Sequence, residues 1–178
     1  QDSRTGAKAG GPHHAAQDGL GNMYITFCDA PGPNGISAGV VCKFNLTTLT
    51  SINVTPPTGQ GGFGGVTVDA ENPNTVAVST IDCWWPQNYI YRSTNGGTNW
   101  TQTYAGTTDC SSAPWLGNGG LVIQGWSDDL KIDPFNSDHL FFTSGGGVFS
   151  SFNFTAAQPS WEFQSVSIEE MVYCNNGP

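Results

Sequence analysis

Short runs in which apolar and polar residues alternate recur along the chain, and two of them are copies of one pattern. The segment VTVDAENPNTVAVST, which begins at Val66, matches LKIDPFNSDHLFFTS, which begins at Leu130. In each copy two alternating segments flank an acidic turn, with Asp69 and Asp133 at the same place. Alternation is typical of strands, and a repeated strand–turn–strand unit is typical of a repeat architecture.

Each copy continues into a second hairpin, so that the repeated unit contains about four short strands. The second hairpins read NYIYRSTNGGTNW and GGVFSSFNFTAAQPSW, and they end at Trp100 and Trp161. An earlier, more degenerate copy starts at Asp18 and runs through NMYITFC, AGVVCKFN and SINVT. The three units occupy approximately residues 18–58, 63–105 and 121–167. Four-stranded repeats are typical of propeller blades, so we predict an all-β fold: one partial β-propeller domain, residues 1–178.

Three blades leave the predicted propeller open. Propellers usually close with roughly four to eight blades, and an open arc exposes the interior faces of its first and last blades. The chain could be a fragment held by the rest of a longer parent, it could pair with another chain, or two copies could close a six-bladed ring. All three arrangements stay open at this point.

The composition agrees with a fold of strands and turns. Glycine accounts for 24 of 178 residues and only 11% of residues are charged, which favours short strands over helices. The 14 acidic residues outnumber the 5 basic ones, giving a net charge of −9. Such a surface repels nucleic acids and anionic lipids, and no segment approaches the ~18 apolar residues of a membrane span. We therefore expect neither nucleic acid nor membrane as a partner.

Four Asn-x-Thr sequons indicate a secreted, extracellular glycoprotein. Each lies in a polar, turn-rich setting from which an oligosaccharide could project into water. The four asparagines are Asn45, Asn53, Asn99 and Asn153.

The five cysteines favour disulfides, because they are dispersed and lack the close spacing of zinc or redox sites. Cys28 and Cys42 lie in adjacent strand-like segments, and Cys83 and Cys110 flank one hairpin with its loop. We predict that each pair can be bridged. Cys174 is left over, as a free thiol or as a link to another chain.

The stretch STNGGTNW, Ser93–Trp100, resembles an Asp-box, a turn of sialidase-like and related propellers, with Asn95 in the place of the usual aspartate. We expect the Asn95 side chain to bond to backbone amides of the turn, and the glycines to adopt positive φ. Trp100 is expected to pack between neighbouring sheets, so the turn is predicted to be structural.

Several motifs in one order resemble the xyloglucanases of glycoside hydrolase family 74: GPNGISAGVVCKFN, GFGGVTVDAENPNTVAVST, WWPQNYIYRSTNGGTNW, SSAPWL and LKIDPFNSDH. The resemblance implies two seven-bladed propellers around a cleft, in which two aspartates of Asp-x-Gly-Gly motifs cut xyloglucan with inversion. Here the only similar turn is Thr94–Gly97, where Asn95 cannot act as a base. The resemblance therefore places the chain in the middle of the family's sequence, without a catalytic residue of its own.

The adjacent pair Trp84 and Trp85 is the strongest candidate binding site. Tryptophan faces stack on the apolar faces of pyranose rings, and in the family a matching pair lines the aglycone side of the cleft. One or both could instead pack between blades, but Cys83 and the following proline bracket a loop rather than a strand, which favours sugar contact. Trp115 and Trp126, in loop-like surroundings near the same end of the blades, are weaker candidates.

No other pattern indicates catalysis or a cofactor. The acidic pairs Asp128–Asp129 and Glu169–Glu170 are neighbours in strand-like segments, where adjacent side chains point to opposite faces. The three histidines lack further ligands at the spacing of a zinc site. We expect neither a metal nor another cofactor.

Two functions follow from these observations. In the first, the chain is part of a fungal-type secreted enzyme and supplies sugar-stacking tryptophans for xyloglucan or a related β-1,4-glucan, with a second polypeptide or further copies closing the propeller. In the second, it is a stand-alone, non-catalytic protein derived from the same family, which binds cell-wall carbohydrate.

Overall fold

The computed structural model describes residues 10–30, 36–57, 61–81, 89–104, 127–144 and 147–164. These segments contain twelve strands, and none of them holds a helix that could span a membrane. The first sheet consists of β1 (Pro12–Gln17), β2 (Asn22–Cys28), β3 (Gly39–Asn45) and β4 (Ser51–Asn53). The second consists of β5 (Gly62–Val68), β6 (Val76–Ile81), β7 (Ile90–Ser93) and β8 (Thr101–Tyr104). The third consists of β9 (Ser127–Asp133), β10 (Asn136–Ser144), β11 (Gly147–Ser151) and β12 (Glu162–Phe163).

Each sheet is an antiparallel meander in which the four strands lie side by side in chain order. The first strands of consecutive sheets contact each other, β1 against β5 and β5 against β9. Four-stranded meanders whose first strands line up in this way are consecutive blades of a propeller. The predicted all-β fold of three four-stranded units is confirmed.

The first sheet extends further toward the N terminus than the predicted unit, which begins at Asp18. Its first strand, β1, has the sequence PHHAAQ, without alternating large apolar residues. This strand is defined by its pairing with β2, from Ala15↔Ile25 to Gln17↔Met23. Because that pairing is not encoded in the local pattern, sequence periodicity misses the strand.

An aspartate closes the first turn of every sheet. Asp18 follows β1, Asp69 follows β5, and Asp133 ends β9. In all three turns the carboxylate accepts a hydrogen bond of 2.9 Å from the backbone amide two residues later. This Asx-turn geometry is the physical reason for the acidic turn in the repeated sequence.

The apolar core lies between the sheets. One cluster joins the first and second sheets: Tyr24, Val41, Val54, Phe63, Val66, Val76, Val78 and Tyr91. Another joins the second and third sheets: Ala77, Ile90, Tyr104, Leu130, Ile132, Leu140, Phe142, Phe149, Phe154, Trp161 and Phe163. Because β6 contributes alternate residues to the two clusters, all six of its residues are buried, as expected for a strand of a middle blade.

Hydroxyl groups connect neighbouring sheets close to their first strands. Thr26 Oγ1, on β2, donates to the carbonyl of Gly64, on β5, over 2.5 Å. Ser79 Oγ, on β6, donates to the carbonyl of Ser127, on β9, over 3.3 Å. Both hydroxyls are buried, so these bonds satisfy polar groups that would otherwise destabilise the interfaces.

Tryptophans connect the sheets at their outer strands. Trp100 Nε1 donates to the carbonyl of Val54, just after β4, over 2.7 Å. Trp161 Nε1 donates to the carbonyl of Thr103, on β8, over 3.2 Å. In both cases the indole comes from the turn between the third and fourth strands of the later sheet. The predicted packing of Trp100 between neighbouring sheets is confirmed.

The predicted disulfide between Cys28 and Cys42 is wrong. The cysteines do lie on adjacent strands, but Cys28 is paired with Gly39, whereas Cys42 is paired with Ile25. That register places the two side chains on opposite faces of the sheet, and no disulfide joins them. The Cys28 thiol donates instead to the carbonyl of Phe63 over 3.1 Å, and burial raises its pKa to about 11.

Candidate functional site

Strand direction sorts the connections of every sheet to two opposite ends. One end carries the turns β1–β2, β5–β6 and β9–β10, and also the turns β3–β4, β7–β8 and β11–β12. We call it the turn end. We call the loop end the opposite one, where β6 ends at Ile81, β7 begins at Ile90, β8 ends at Tyr104 and β9 begins at Ser127. The turns at the turn end follow the sequence repeat, whereas the connections at the loop end differ in length and sequence.

The structure describes the flanks of the candidate sugar-binding segments. Seven candidate residues lie outside the described residues: Trp84, Trp85, Trp115, Trp126, Cys83, Cys110 and Cys174. Their roles stay predictions. The strand ends on both sides of residues 82–88 and 105–126 are buried, since Ile81, Ile90 and Ser127 are each 1% exposed and Tyr104 is 3% exposed. Both segments that carry the tryptophans are therefore flanked by buried strand ends of the second and third sheets.

The hairpin that carries residues 82–88 is closed at its base by two hydrogen bonds. The amide of Thr80 donates to the carbonyl of Tyr89 over 2.9 Å, and the amide of Tyr89 donates to Thr80 Oγ1 over 2.8 Å. Tyr89 also packs edge-on against Tyr91, with ring centroids 6.2 Å apart. The segment with Trp84 and Trp85 thus emerges from a rigid base, which suits a binding loop.

The first sheet has an ordered acidic residue at the loop end. Asp29 follows β2, and its carboxylate accepts bonds from the amide and the hydroxyl of Ser37, at 2.8 and 2.5 Å, and from the amide of Ala38, at 3.1 Å. The bonds from Ser37 are the main reason why the pKa of Asp29 falls to about 2. This carboxylate is ionised and committed to its own connection.

Charged side chains near the first strands form a small network between the first and third sheets. Asp129 Oδ1 lies 3.3 Å from Lys131 Nζ and 3.5 Å from His14 Nδ1. In the third sheet, Asp133 Oδ2 lies 3.4 Å from His139 Nδ1. Within the described part of the chain, no group of three His, Cys, Asp or Glu side chains could hold a metal ion. Asp129 and Asp133 therefore each lie within ion-pair distance of a basic side chain.

At the turn end, side-chain hydrogen bonds within the turn hold the predicted Asp-box analogue together. Asn95 Oδ1 accepts the Asn99 amide over 2.8 Å and the Ser93 hydroxyl over 3.0 Å. Gly96 and Gly97 have φ values of 65° and 87°, which residues with a side chain rarely adopt. The predicted bonding of Asn95 and the predicted backbone of the glycines are confirmed, and the side chain serves the turn.

The third sheet repeats this arrangement with a different sequence. Asn153 Oδ1 accepts the Ser160 amide over 2.8 Å and the Ser151 hydroxyl over 3.1 Å. The turn lacks the two glycines, but the serine–asparagine pair and the closing Trp161 are kept. The turn type therefore belongs to the repeat.

Three of the four sequons lie in the turns between the third and fourth strands. Asn45 is half-buried at the end of β3, whereas Asn99 and Asn153 are exposed in the corresponding turns of the second and third sheets. Asn53 is exposed at the end of β4. The turn end and the outer edge of the sheets therefore carry every predicted glycosylation site.

A groove of about 370 Å³ lies between the edge of the first sheet and the Asp-box-like turn of the second. Val54 and Pro57 belong to the first wall, and Thr98 and Trp100 to the second. Sequence reasoning missed this groove because its walls come from two sheets. The one local signal is that Asn99 and Trp100 are adjacent in the sequon NWT.

Comparison with known proteins shows which proteins this chain is similar to. No family model matches it. A xyloglucanase of Paenibacillus sp. is 35% identical over 167 residues, which cover 81% of this chain and 16% of the relative. The chain therefore spans about a sixth of the length of that curated relative.

Two solved structures have the same fold as this chain over most of its length. The GH74 enzyme of Niastella koreensis superposes with a TM-score of 0.76 at 29% identity, covering 87% of this chain and 24% of that chain. The GH74 xyloglucanase of Xanthomonas campestris gives a TM-score of 0.73 at 30% identity, covering 88% of this chain and 23% of that chain. Sequence and fold thus agree on one group of proteins.

Proposed function

The chain corresponds in sequence and in fold to a segment of the glycoside hydrolase family 74 xyloglucanases, and from this premise we propose that it is part of a secreted enzyme that acts on xyloglucan. The observation that carries the proposal is the match to a xyloglucanase structure at 30% identity over 88% of the chain. Shared fold alone does not carry a function, so the sequence identity that accompanies it is what supports the proposal.

In this enzyme the loop end faces the glucan chain, and Trp84 and Trp85 stack on its sugar rings. Two features support the assignment. The loop base is fixed by the Thr80–Tyr89 bonds, and the connections at this end are the ones that depart from the repeat. Trp115 and Trp126, on a segment that leaves from Tyr104 and returns at Ser127, extend the same surface.

The catalytic acid and base come from other parts of the enzyme. In the described part of this chain, Asp69 and Asp133 accept hydrogen bonds within their own turns, and Asp129 is paired with Lys131. Asp29 is ionised and bonded to Ser37, so it is poorly suited to donate a proton to a leaving group.

Further blades of the same enzyme cover the outer faces of the first and third sheets. The outer face of the first sheet is apolar, with Val40 and Cys42 buried against Phe27 and Phe44. On the outer face of the third sheet, Phe152 stacks on His139 and Phe141 contacts the same ring at a tilt. Apolar surface of this kind at both ends of an arc fits continuation of the propeller on both sides.

The test uses a longer polypeptide that contains this chain together with the further blades proposed above. Its hydrolysis of xyloglucan is measured as the release of reducing ends. We expect activity from the longer polypeptide and none from the 178-residue chain alone. Absence of activity in the longer polypeptide would contradict the proposal and favour a non-catalytic carbohydrate-binding protein. Activity of the isolated chain would contradict the assignment of the catalytic pair to other parts.

A further inference from the structure

The groove beside Trp100 is bordered by two sequons on opposite walls. Asn53 lies on the wall from the first sheet, and Asn99 lies on the wall from the second. Both asparagines are exposed, so a glycan attached to either would begin at the rim of the groove. The location is at the turn end and outer edge, away from the loop end.

The size and lining of the groove fit a single sugar ring. Its volume of about 370 Å³ is near the lower end of the range for small-molecule sites. Trp100 and Pro57 supply apolar surface, and Thr55 and Thr98 supply polar groups. A pyranose has an apolar face and a rim of hydroxyl groups, so this mixture of walls is suited to one.

The groove is preformed, because its side chains are fixed by other contacts. The Trp100 indole is held by its 2.7 Å bond to the Val54 carbonyl. Asn53 Oδ1 accepts the Thr55 amide over 2.9 Å and the Thr55 hydroxyl over 2.6 Å. The backbone of Asn99 is fixed by the 2.8 Å bond from its amide to Asn95 Oδ1. A fixed surface binds a ring without an additional ordering cost.

We propose that the groove holds the first N-acetylglucosamine of an N-linked glycan on Asn99, packed against Trp100, and that this sugar links the turn of the second sheet to the edge of the first. The inference rests on the secretory route in the proposed function, because that route supplies the glycan. It assigns a structural task to the glycan on Asn99, whereas Asn45 and Asn153 are not among the residues that line the groove.

The experiment uses the full chain secreted from a yeast host and treated in two ways. One enzyme trims every glycan to a single N-acetylglucosamine, and another removes all sugar and leaves aspartate. Peptide mapping should find a glycan on Asn99. Hydroxyl-radical footprinting should show Trp100 several-fold less oxidised with the single sugar than without it. We also expect the Tm to fall by about 2–4 °C when that last sugar is removed.

Variants at the sequons identify which attached sugar protects Trp100 from oxidation. In Asn99→Gln the difference in Trp100 oxidation between the two treatments should vanish, whereas in Asn45→Gln and Asn153→Gln it should persist. An unglycosylated Asn99, or equal oxidation of Trp100 after both treatments, would overturn the inference. Loss of protection in Asn53→Gln instead of Asn99→Gln would overturn it as well.

A final arm distinguishes an attached sugar from a free one. Cello-oligosaccharide added to sugar-free Asn99→Gln should leave Trp100 oxidation unchanged, and protection would reassign the groove to free glucan. Glycans on other sequons without one on Asn99 would overturn only this inference. A complete lack of glycans would remove the secretory part of the proposed function as well.

Discussion

The turn end and the loop end belong to the same repeated strands, but only the connections at the turn end follow the sequence repeat. At the turn end polar side chains bond within their own turns, as Asp69 does with the amide two residues later and as Asn95 does with Asn99. At the loop end the strand ends Ile81 and Ile90 are buried, and the connections between such points are not part of the repeat. The repeat therefore accounts for the connections at one end, whereas the connections at the other end vary from sheet to sheet.

An exposed aromatic side chain does not by itself indicate a binding site. Phe135, in the β9–β10 turn, is 88% exposed, yet its amide simply donates to the turn aspartate Asp133. Single exposed apolar residues are common on protein surfaces. Phe135 is therefore a matched control for the tryptophans at the loop end.

The largest effect is expected for Trp161, a turn-end residue whose side chain is buried in the core. Trp161→Ala removes a 5% exposed ring that packs against Tyr104, Phe142 and Phe154 and bonds to the preceding sheet. The free energy of unfolding should fall by about 3–5 kcal/mol in urea denaturation. Phe135→Ala should change it by less than about 0.5 kcal/mol, and similar losses in the two variants would contradict the packing described here.

An intermediate effect is expected within the Asp-box-like turn. Asn95→Ala removes the acceptor of two hydrogen bonds and should lower the free energy of unfolding by about 1–3 kcal/mol. Asn95→Asp keeps an oxygen acceptor and should stay close to the wild type at pH 7. If both variants lose the same stability by urea denaturation, the acceptor role of Asn95 is wrong.

The smallest effect concerns Asp29. Its pKa is lowered to about 2 from the ordinary 3.8 by the bonds from Ser37, so the ionised form favours the folded state. This contribution is present above about pH 4 and is lost as the pH falls toward 2, and solvent exposure keeps it small. Asp29→Asn should therefore flatten the fall in Tm between pH 4 and pH 2, and an unchanged slope would contradict the assignment.

Local features of the fold could be predicted from the sequence. The acidic turns at Asp69 and Asp133, and the turn from Asn95 to Trp100, depend on residues a few positions apart, and the structure has them as predicted. The family resemblance depended on several such segments in one order, and sequence and fold comparison bear it out.

Features that depend on pairing between distant segments could not be predicted. The first strand, Pro12–Gln17, is defined by its pairing with the second strand. The predicted Cys28–Cys42 disulfide is wrong because the register of their two strands places the thiols on opposite faces. The groove at Trp100 needs two sheets in contact. The roles of Trp84 and Trp85 remain predictions from the sequence and the family.

The most direct test of the central claim is calorimetric titration of the chain with a xyloglucan oligosaccharide. The titration compares the affinities of variants at the loop end with that of a variant at the turn end. If the loop end binds glucan, Trp84→Ala and Trp85→Ala should each weaken binding by about tenfold, the equivalent of one aromatic stacking contact of about 1.4 kcal/mol. Phe135→Ala, at the turn end, should leave the affinity unchanged. Unchanged affinity in both tryptophan variants, or a loss in Phe135→Ala of the same size, would contradict the account.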